Sequence, residues 1–479
     1  MSSNKAGSPY PSTVVDERGE TFELEDEPLG EGGQGIVVRA RNSDDVVVKL
    51  CSLRGTGASA AKKRLRRHLE EVRLLPVDGL QLARPMEMLR GGETVGYTMR
   101  MLRDMVPIGE LITTSGKDNL VEFYLEGGGL RRRLRLLEKA ASTLAKLHST
   151  PLVYGDVSAQ NVFVSESTEA DEVWFIDSDN LTYAGQTSSG IYTPMFGAPE
   201  LVTGHSRANT TVSDVYSFAI LAFWVLVQSH PFLGEAVESG GWDETSTDRE
   251  AEAMEGEFPY IDDPEDDSNL GIHGFSGALG LVFSKTLRRL FQQVFTQGRK
   301  DPLSRPKVAE FAESFRRAGG MTVHCSQCSS TYYVTAGSCP WCEAEESRPD
   351  VIFVQARRWD PRLDDEDWKA LFASDVVYSR VIEVGESATL RRHTVAAVPA
   401  RLDNEPELKI EFQHGGVSVE RLSDREFWLV TDNTSEPVRL VGSKVLPMPE
   451  DDKRWHLHCG PLDKPHRLLS FQLFSGARP

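Results

Sequence analysis

Apolar residues recur at helical spacing in two stretches of the chain. In residues 61–75, AKKRLRRHLEEVRLL, Leu65, Leu69 and Val72 share one face and a basic run from Lys62 to Arg67 takes the other, which predicts an amphipathic helix. The basic side reads as a solvated face, with a docking surface for an acidic partner as the alternative. From Leu130 to His148, LRRRLRLLEKAASTLAKLH, the same spacing predicts a longer scaffold helix. Phe218 to Val227 is apolar throughout but far shorter than the roughly 20 residues of a membrane helix, so it suits a buried core helix. Strands are predicted at VVVKL, which carries Lys49, and at the stretch closing on Tyr97-Thr98-Met99. Beyond about residue 350, VIFVQ, VVYSRVIEV, LKIEFQ, FWLVTD, VRLVG and LLSFQLF alternate between turn residues, which predicts an antiparallel all-β sandwich or barrel.

Length and charge narrow the classes. At 479 residues the chain suggests about three domains. A formal net charge of -19 argues against sequence-independent binding to nucleic acid or to an anionic membrane, and directs attention to proteins and nucleotides. The opening MSSNKAGSPYPSTVV lacks the apolar core of a secretory signal and reads as a flexible leader, so a cytoplasmic location is expected, with no transmembrane segment. An acidic, polar stretch over residues 234–271 reads as a surface excursion, with a partner-docking role as the alternative.

Candidate chemistry concentrates in residues 154–177, YGDVSAQNVFVSESTEADEVWFID. Asp156 and Asn161 fall on a loop, then come an apolar strand and Asp177. One carboxylate for a hydroxyl, followed by an Asn and an Asp for a divalent cation, is the set that phosphoryl transfer needs. Upstream, Leu29-Gly30-Glu31-Gly32-Gly33-Gln34-Gly35-Ile36-Val37 precedes the Lys49 strand, and glycines let backbone amides approach phosphate oxygens closely. A tight turn explains such a run alone, and a strand lysine is commonly a solvated edge; the loop downstream gives them a joint meaning.

Together these residues resemble the protein kinases, whose glycine loop, strand lysine, catalytic loop HRDxxxxN and metal turn DFG occur in this order. The resemblance covers about residues 20–318 and implies a two-lobed α+β fold, ATP and magnesium. Tyr154-Gly155-Asp156 stands for HRD, Asn161 keeps its offset, and Asp177-Ser178-Asp179 stands for DFG. By that match Asp156 is the catalytic base, Asn161 and Asp177 hold magnesium, and Lys49 orients the phosphates. Glu71 is expected to pair with Lys49 because apolar residues follow it at the family's spacing; Glu70 is the alternative. Gly30, Gly32 and Gly35 would border the phosphates, Val37 and Val47 cover the adenine, Phe163 lie below it, Met99 act as gatekeeper, and the Arg100 carbonyl and Leu102 amide bond its edge. Thr193 is expected to bond Asp156, which favours Ser/Thr substrates; Asp214 to hold the catalytic-loop backbone; and Arg305 to pair with Glu200 of Ala198-Pro199-Glu200. Gly155 removes the cation that receives an activation-segment phosphate, and Ser158 replaces a phosphate-contacting lysine, which implies a slower enzyme. Ser178, Thr182, Thr187, Ser188, Ser189 and Thr193 are autophosphorylation candidates by position.

The strings GEGGQG, YGDVSAQN, FIDSDN, APE and HPF resemble a bacterial subgroup of these kinases often encoded beside a PP2C-like phosphatase and a von Willebrand A protein, which implies such partners besides a protein substrate. The competing reading is an ATP-binding pseudokinase scaffold whose departures at Gly155, Ser158 and Asp179 have removed transfer.

Cys325, Cys328, Cys339 and Cys342 form Cys-x2-Cys-x10-Cys-x2-Cys, the spacing of a closed, structural four-thiolate zinc site around a small hairpin. Cys51 and Cys459 have no partner motif. A forkhead-associated-like phosphopeptide binder is an alternative for the β-rich end, but its Gly-Arg, Ser-x-x-His and Asn-Gly markers do not occur together. The expected organisation is therefore a leader (1–19), a kinase N-lobe (20–103) and C-lobe (104–318), a zinc ribbon (319–349) and an all-β domain (350–479).

Overall fold

The computed structural model describes residues 10–32, 35–51, 58–91, 95–112, 119–186, 190–239, 246–344, 348–363, 376–396, 405–431, 436–446 and 455–474. It divides into two compact units. One comprises Met1–Phe123 and Arg135–Ser314, the other Tyr124–Leu134 and Phe315–Pro479.

The first unit opens on an antiparallel five-stranded sheet in the order Gly30–Gly32, Gly35–Arg39, Val46–Cys51, Val95–Arg100, Glu87–Met88. Side chains alternate between faces along a strand, so the Val46–Cys51 strand feeds two clusters. Val48 and Leu50 pack with Val38, Phe22 and Leu24, while Val47 and Cys51 pack with Leu69, Tyr97 and Met99. Lys49 shares the second face, opposite Val37 and Tyr97 in register. Leu69 and Val72 of the helix Ala58–Arg73 are buried and Leu65 half-buried, as the apolar spacing requires.

Residues 10–19 differ from the expected flexible leader. Thr13–Val15 pairs with Thr21–Glu23, Tyr10 is buried in the first cluster, and Asp16 Oδ1 accepts the Glu20 amide at 2.8 Å. Alternating Val14 and Phe22, one opposite the other, make this hairpin a cover for the sheet; residues 1–9 lie outside the described residues.

The rest of the unit is mainly helical. The helix Gly129–Ser149, of which the part from Arg135 onward belongs to this unit, matches the predicted scaffold helix. Thr211–Val227, entered through a reciprocal Thr210–Ser213 capping box, is buried on nearly every side. Its Phe223 meets Tyr260, Phe291 and Phe295 at ring separations of 5.5, 5.5 and 5.9 Å. Tyr260 belongs to the acidic stretch expected to lie on the surface. That stretch instead contributes two helices, Glu235–Glu238 and Ser246–Glu255, and buries Val237, Tyr260, Ile261 and Asn269, because apolar residues spaced among its charges meet the core. No helix among the described residues is long and apolar enough to cross a membrane.

In the second unit, a Thr322–His324/Thr331–Tyr333 hairpin stands beside two antiparallel sheets. The six-stranded sheet runs Val376–Glu383, Val351–Trp359, His466–Phe474, Trp455–His458, Trp428–Thr431, Val438–Arg439. The four-stranded sheet runs Ser387–Arg391, Pro406–Gln413, Gly416–Arg421, Ser443–Leu446. Ile352, Val354 and Leu469 of the first and Leu408, Ile410 and Phe412 of the second share one core, which makes the pair a β-sandwich.

Candidate active site

Two short strands, Leu152–Val153 and Val162–Ser165, frame the loop that carries Asp156 and Asn161. Asp214, fully within the first turn of the helix Thr211–Val227, fixes its start: Oδ2 accepts the Tyr154 amide at 2.8 Å and Oδ1 the Gly155 amide at 2.9 Å, with His148 Nε2 3.1 Å from Oδ2. Tyr154 is buried edge-on against Phe175 and donates its hydroxyl to the Ile176 carbonyl. Gly155 has φ +89°, a backbone conformation that a side chain rarely adopts; an arginine there would be strained even though there is space for its Cβ.

Asp156 is held at both oxygens. Thr193 Oγ1 donates to Oδ1 at 2.7 Å and Asn161 Nδ2 to Oδ2 at 2.9 Å, with a second Asn161 bond of 2.9 Å to the Asp156 carbonyl. Burial pushes its pKa up, and the Thr193 and Asn161 bonds pull against that rise. The carboxylate is thereby aimed while remaining hydrogen-bonded. Asn161 uses its NH2 group on Asp156, so its carbonyl oxygen is the atom left for a hard cation.

Asp177 has φ +53° and opens a short turn, Ser178–Asn180. Its Oδ1 accepts Lys49 Nζ at 2.5 Å, and Asp179 Oδ2 accepts the same ammonium at 2.8 Å. Burial raises the Asp177 pKa, opposed by Lys49. For Lys49, burial lowers the pKa but Asp179 and Asp177 together outweigh it and hold the ammonium above its ordinary value. Across the sheet, Gly32 lies opposite Gly35 and Gly30 opposite Val37, while Gly33 and Gln34 lie outside the described residues. A Cβ on Gly35 would fall 2.3 Å from the Leu50 carbonyl oxygen, so that position admits glycine alone. Val37, Val47 and Met99 share one cluster, joined by Met101. Arg100 is exposed with its guanidinium 5.1 Å from the Trp174 ring centre, and Leu102 and Phe163 are half-buried.

Residues 24–314, more than half of the chain, match the family described as protein kinase domain. The chain belongs to the protein kinase family. Among similar kinases are the serine/threonine-protein kinase PkaA of Streptomyces coelicolor, 27% identical over 231 residues (44% of this chain, 40% of the relative); the serine/threonine-protein kinase pkn2 of Myxococcus xanthus, 31% identical over 111 residues (22% and 13%); and a probable leucine-rich repeat receptor-like protein kinase of Arabidopsis thaliana, 27% identical over 239 residues (46% and 32%). Each match spans less than half of the relative's length.

Within this kinase domain the contacts expected for Thr193, Asp214 and Arg305 are present; Arg305 grips Glu200 through two bonds of 2.7 Å. The expected partner of Lys49 is not. Glu71 is exposed, and Glu70 accepts Arg66 Nε at 3.2 Å on its own helix. The reason is helical phase: Leu69 and Val72 fix the buried stripe, and Glu71 sits roughly 200° on from Leu69. The helix meets the site through His68, whose Nε2 lies 2.6 Å from the Asp179 carbonyl oxygen. His68, Asp179 as a Lys49 partner and Asn209 were missed from sequence; the spacing of His68 three residues before Glu71 was the available signal. Among the phosphorylation candidates, Ser178 is buried and donates to the Ala83 carbonyl at 2.8 Å, and Thr187, Ser188 and Ser189 lie outside the described residues.

In the second unit the sulfurs of Cys325, Cys328, Cys339 and Cys342 lie within 4.8 Å of one another. Cys325 and Cys342 are 3.6 Å apart, Cys328 and Cys339 3.8 Å. A tetrahedron with bonds of about 2.3 Å to zinc has edges of about 3.8 Å, so the four thiols fit that ion. The amides of Gln327 and Cys328 point at the Cys325 sulfur, at 3.3 and 3.4 Å.

Proposed function

We propose that the first unit is a two-lobed kinase that transfers the γ-phosphoryl group of ATP to serine or threonine hydroxyls of a protein substrate. The observation that carries this reading is the Asp156 carboxylate, fixed at both oxygens by Thr193 and Asn161 on a loop that Asp214 anchors. Asp156 orients the substrate hydroxyl and takes its proton late, as the bond from γ-phosphorus to the ADP oxygen breaks. Lys49 steadies the α and β phosphates. Amides near Gly30, Gly32 and Gly35 border them, while Val37, Val47, Met99 and Phe163 enclose the adenine and Arg100 and Leu102 bond its edge through their backbone. Asn161 and Asp177 hold magnesium, which supplies charge neutralisation on the phosphates when bound.

Thr193 beside Asp156, with the names of the Streptomyces and Myxococcus relatives, favours Ser/Thr over Tyr. The four cysteines form a structural zinc ribbon. Regulation through a PP2C-like phosphatase and a von Willebrand A protein rests on the subgroup resemblance, and a cytoplasmic location on the opening segment MSSNKAGSPYPSTVV, which lacks the apolar core of a secretory signal. Labelled ATP with magnesium tests the metal role. Wild type is expected to transfer phosphate and Asp177→Ala to lose transfer; unchanged labelling in Asp177→Ala would overturn the assignment, and ATP binding without transfer in wild type would favour the pseudokinase reading.

A further inference from the structure

Lys49 carries an ammonium into a site where its side chain is only 3% exposed. Such a charge is stable there only against anionic partners. Both of its partners lie in the turn after the Val173–Phe175 strand, Asp177 at 2.5 Å and Asp179 at 2.8 Å. They differ in setting. Asp177 is 27% exposed and can turn one oxygen toward solvent or a cation, whereas Asp179 is 8% exposed and walled in. Tyr97 OH reaches the same Asp179 oxygen at 3.4 Å, and the other oxygen is buried with no hydrogen-bond partner. A buried carboxylate so placed gains most of its compensation from Lys49.

The helix Ala58–Arg73 offers Lys49 no carboxylate, since Glu71 is exposed and Glu70 is engaged by Arg66. It offers a histidine instead. A carbonyl oxygen can only accept, so His68 Nε2 is the donor in its 2.6 Å contact with the Asp179 backbone.

We propose that Asp179 is the positioning residue for Lys49, supplying from the metal turn the carboxylate that the helix does not supply, with His68 fastening the helix to that turn. This rests on the kinase reading of the site. When a cation draws on Asp177 and phosphate oxygens draw on Lys49, Asp179 keeps the ammonium in place. Asp179 is then a working part of the site, and its presence where the family carries glycine is no sign of lost function.

The test uses the full-length protein and two readouts. The first is the fraction of Lys49 acetylated by acetic anhydride at one fixed pH, read by peptide mass spectrometry; the second is phosphate transfer from labelled ATP. Asp179→Asn is expected to raise Lys49 labelling at a given pH by about tenfold or more, because one anionic partner is lost. It should lower transfer by about a hundredfold through misplacement of the lysine, with Asp179→Glu recovering part of both. Glu71→Gln is expected to match wild type in both readouts. Lys49 labelling raised by Glu71→Gln, or unchanged in Asp179→Asn, would overturn the proposal. Should Asp179→Asn not fold, Asp179→Glu and Glu71→Gln still decide it. Labelling that follows the expectation in a wild-type protein that transfers nothing would sink the kinase reading and leave the Lys49 assignment standing.

Discussion

Asn209 and Ile191 clasp each other: Asn209 Oδ1 accepts the Ile191 amide at 2.9 Å, and Asn209 Nδ2 donates to the Ile191 carbonyl at 2.7 Å. The same Nδ2 reaches the Gly155 carbonyl at 2.7 Å. An uncharged amide thus ties the segment approaching Thr193 to the loop of Asp156, at the place where an arginine would need a phosphate to make the link. Asn209→Ala is expected to cost about 2–3 kcal/mol, because buried backbone groups lose their partners, and to lower transfer. Transfer by wild type should survive prior phosphatase treatment. Urea unfolding and labelled-ATP transfer before and after dephosphorylation check both statements.

Arg305 is fully buried, bonded twice to Glu200 at 2.7 Å and with its guanidinium 4.7 Å from the centre of the Tyr216 ring. Removing one member of a buried pair leaves the other charge uncompensated. Arg305→Ala is expected to destabilise the first unit by about 3–5 kcal/mol, and Arg305→Lys, which cannot match both carboxylate oxygens, by a smaller amount. Denaturant midpoints measure the difference.

Acid should weaken the protein through His230. Burial lowers its pKa from the ordinary 6.5 to about 4, against the pull of its hydrogen bond to the Met195 carbonyl at 3.0 Å. The folded state therefore resists a proton that the unfolded chain accepts. Stability from this group is complete above 6.5 and is lost as pH falls toward 4, by about 2 kcal/mol at pH 5. A His230→Asn variant should show a shallower loss of Tm between pH 7 and 5 than wild type; equal slopes would remove His230 from the account.

The cysteine cluster predicts about one zinc per chain for a closed four-thiolate site. Elemental analysis should find it, and Cys339→Ser, at a buried ligand position, should lose the metal and destabilise the second unit. Metal-free wild type with unchanged unfolding would contradict the ribbon.

Residues whose placement is set by fixed offsets were legible in the sequence: Lys49 on its strand, Asp156 and Asn161 on one loop, Thr193, Asp214 and Glu200 downstream. Alternation likewise announced the β-rich end, where Leu408, Ile410 and Phe412 point into the sandwich core. What failed was choice among similar residues. Glu70, Glu71 and Asp179 all could have answered Lys49, and only helical phase and burial separate them. Tyr10 was hidden because it is a lone aromatic between two prolines, and Tyr260 because the short Phe258–Ile261 patch is set in an acidic stretch; a patch of one to four residues leaves no periodic trace. Asn209 escaped for a different reason: it acts on backbone groups 18 and 54 residues away, a link that no local motif encodes.

The central claim is phosphoryl transfer through Asp156. The direct measurement follows label from ATP, with magnesium, onto the protein itself and onto a generic basic protein, for wild type and Asp156→Asn. Transfer by wild type that is lost in Asp156→Asn, with the fold intact, is the expected result. Equal labelling in both, or none in a wild type that still binds ATP, would contradict the account.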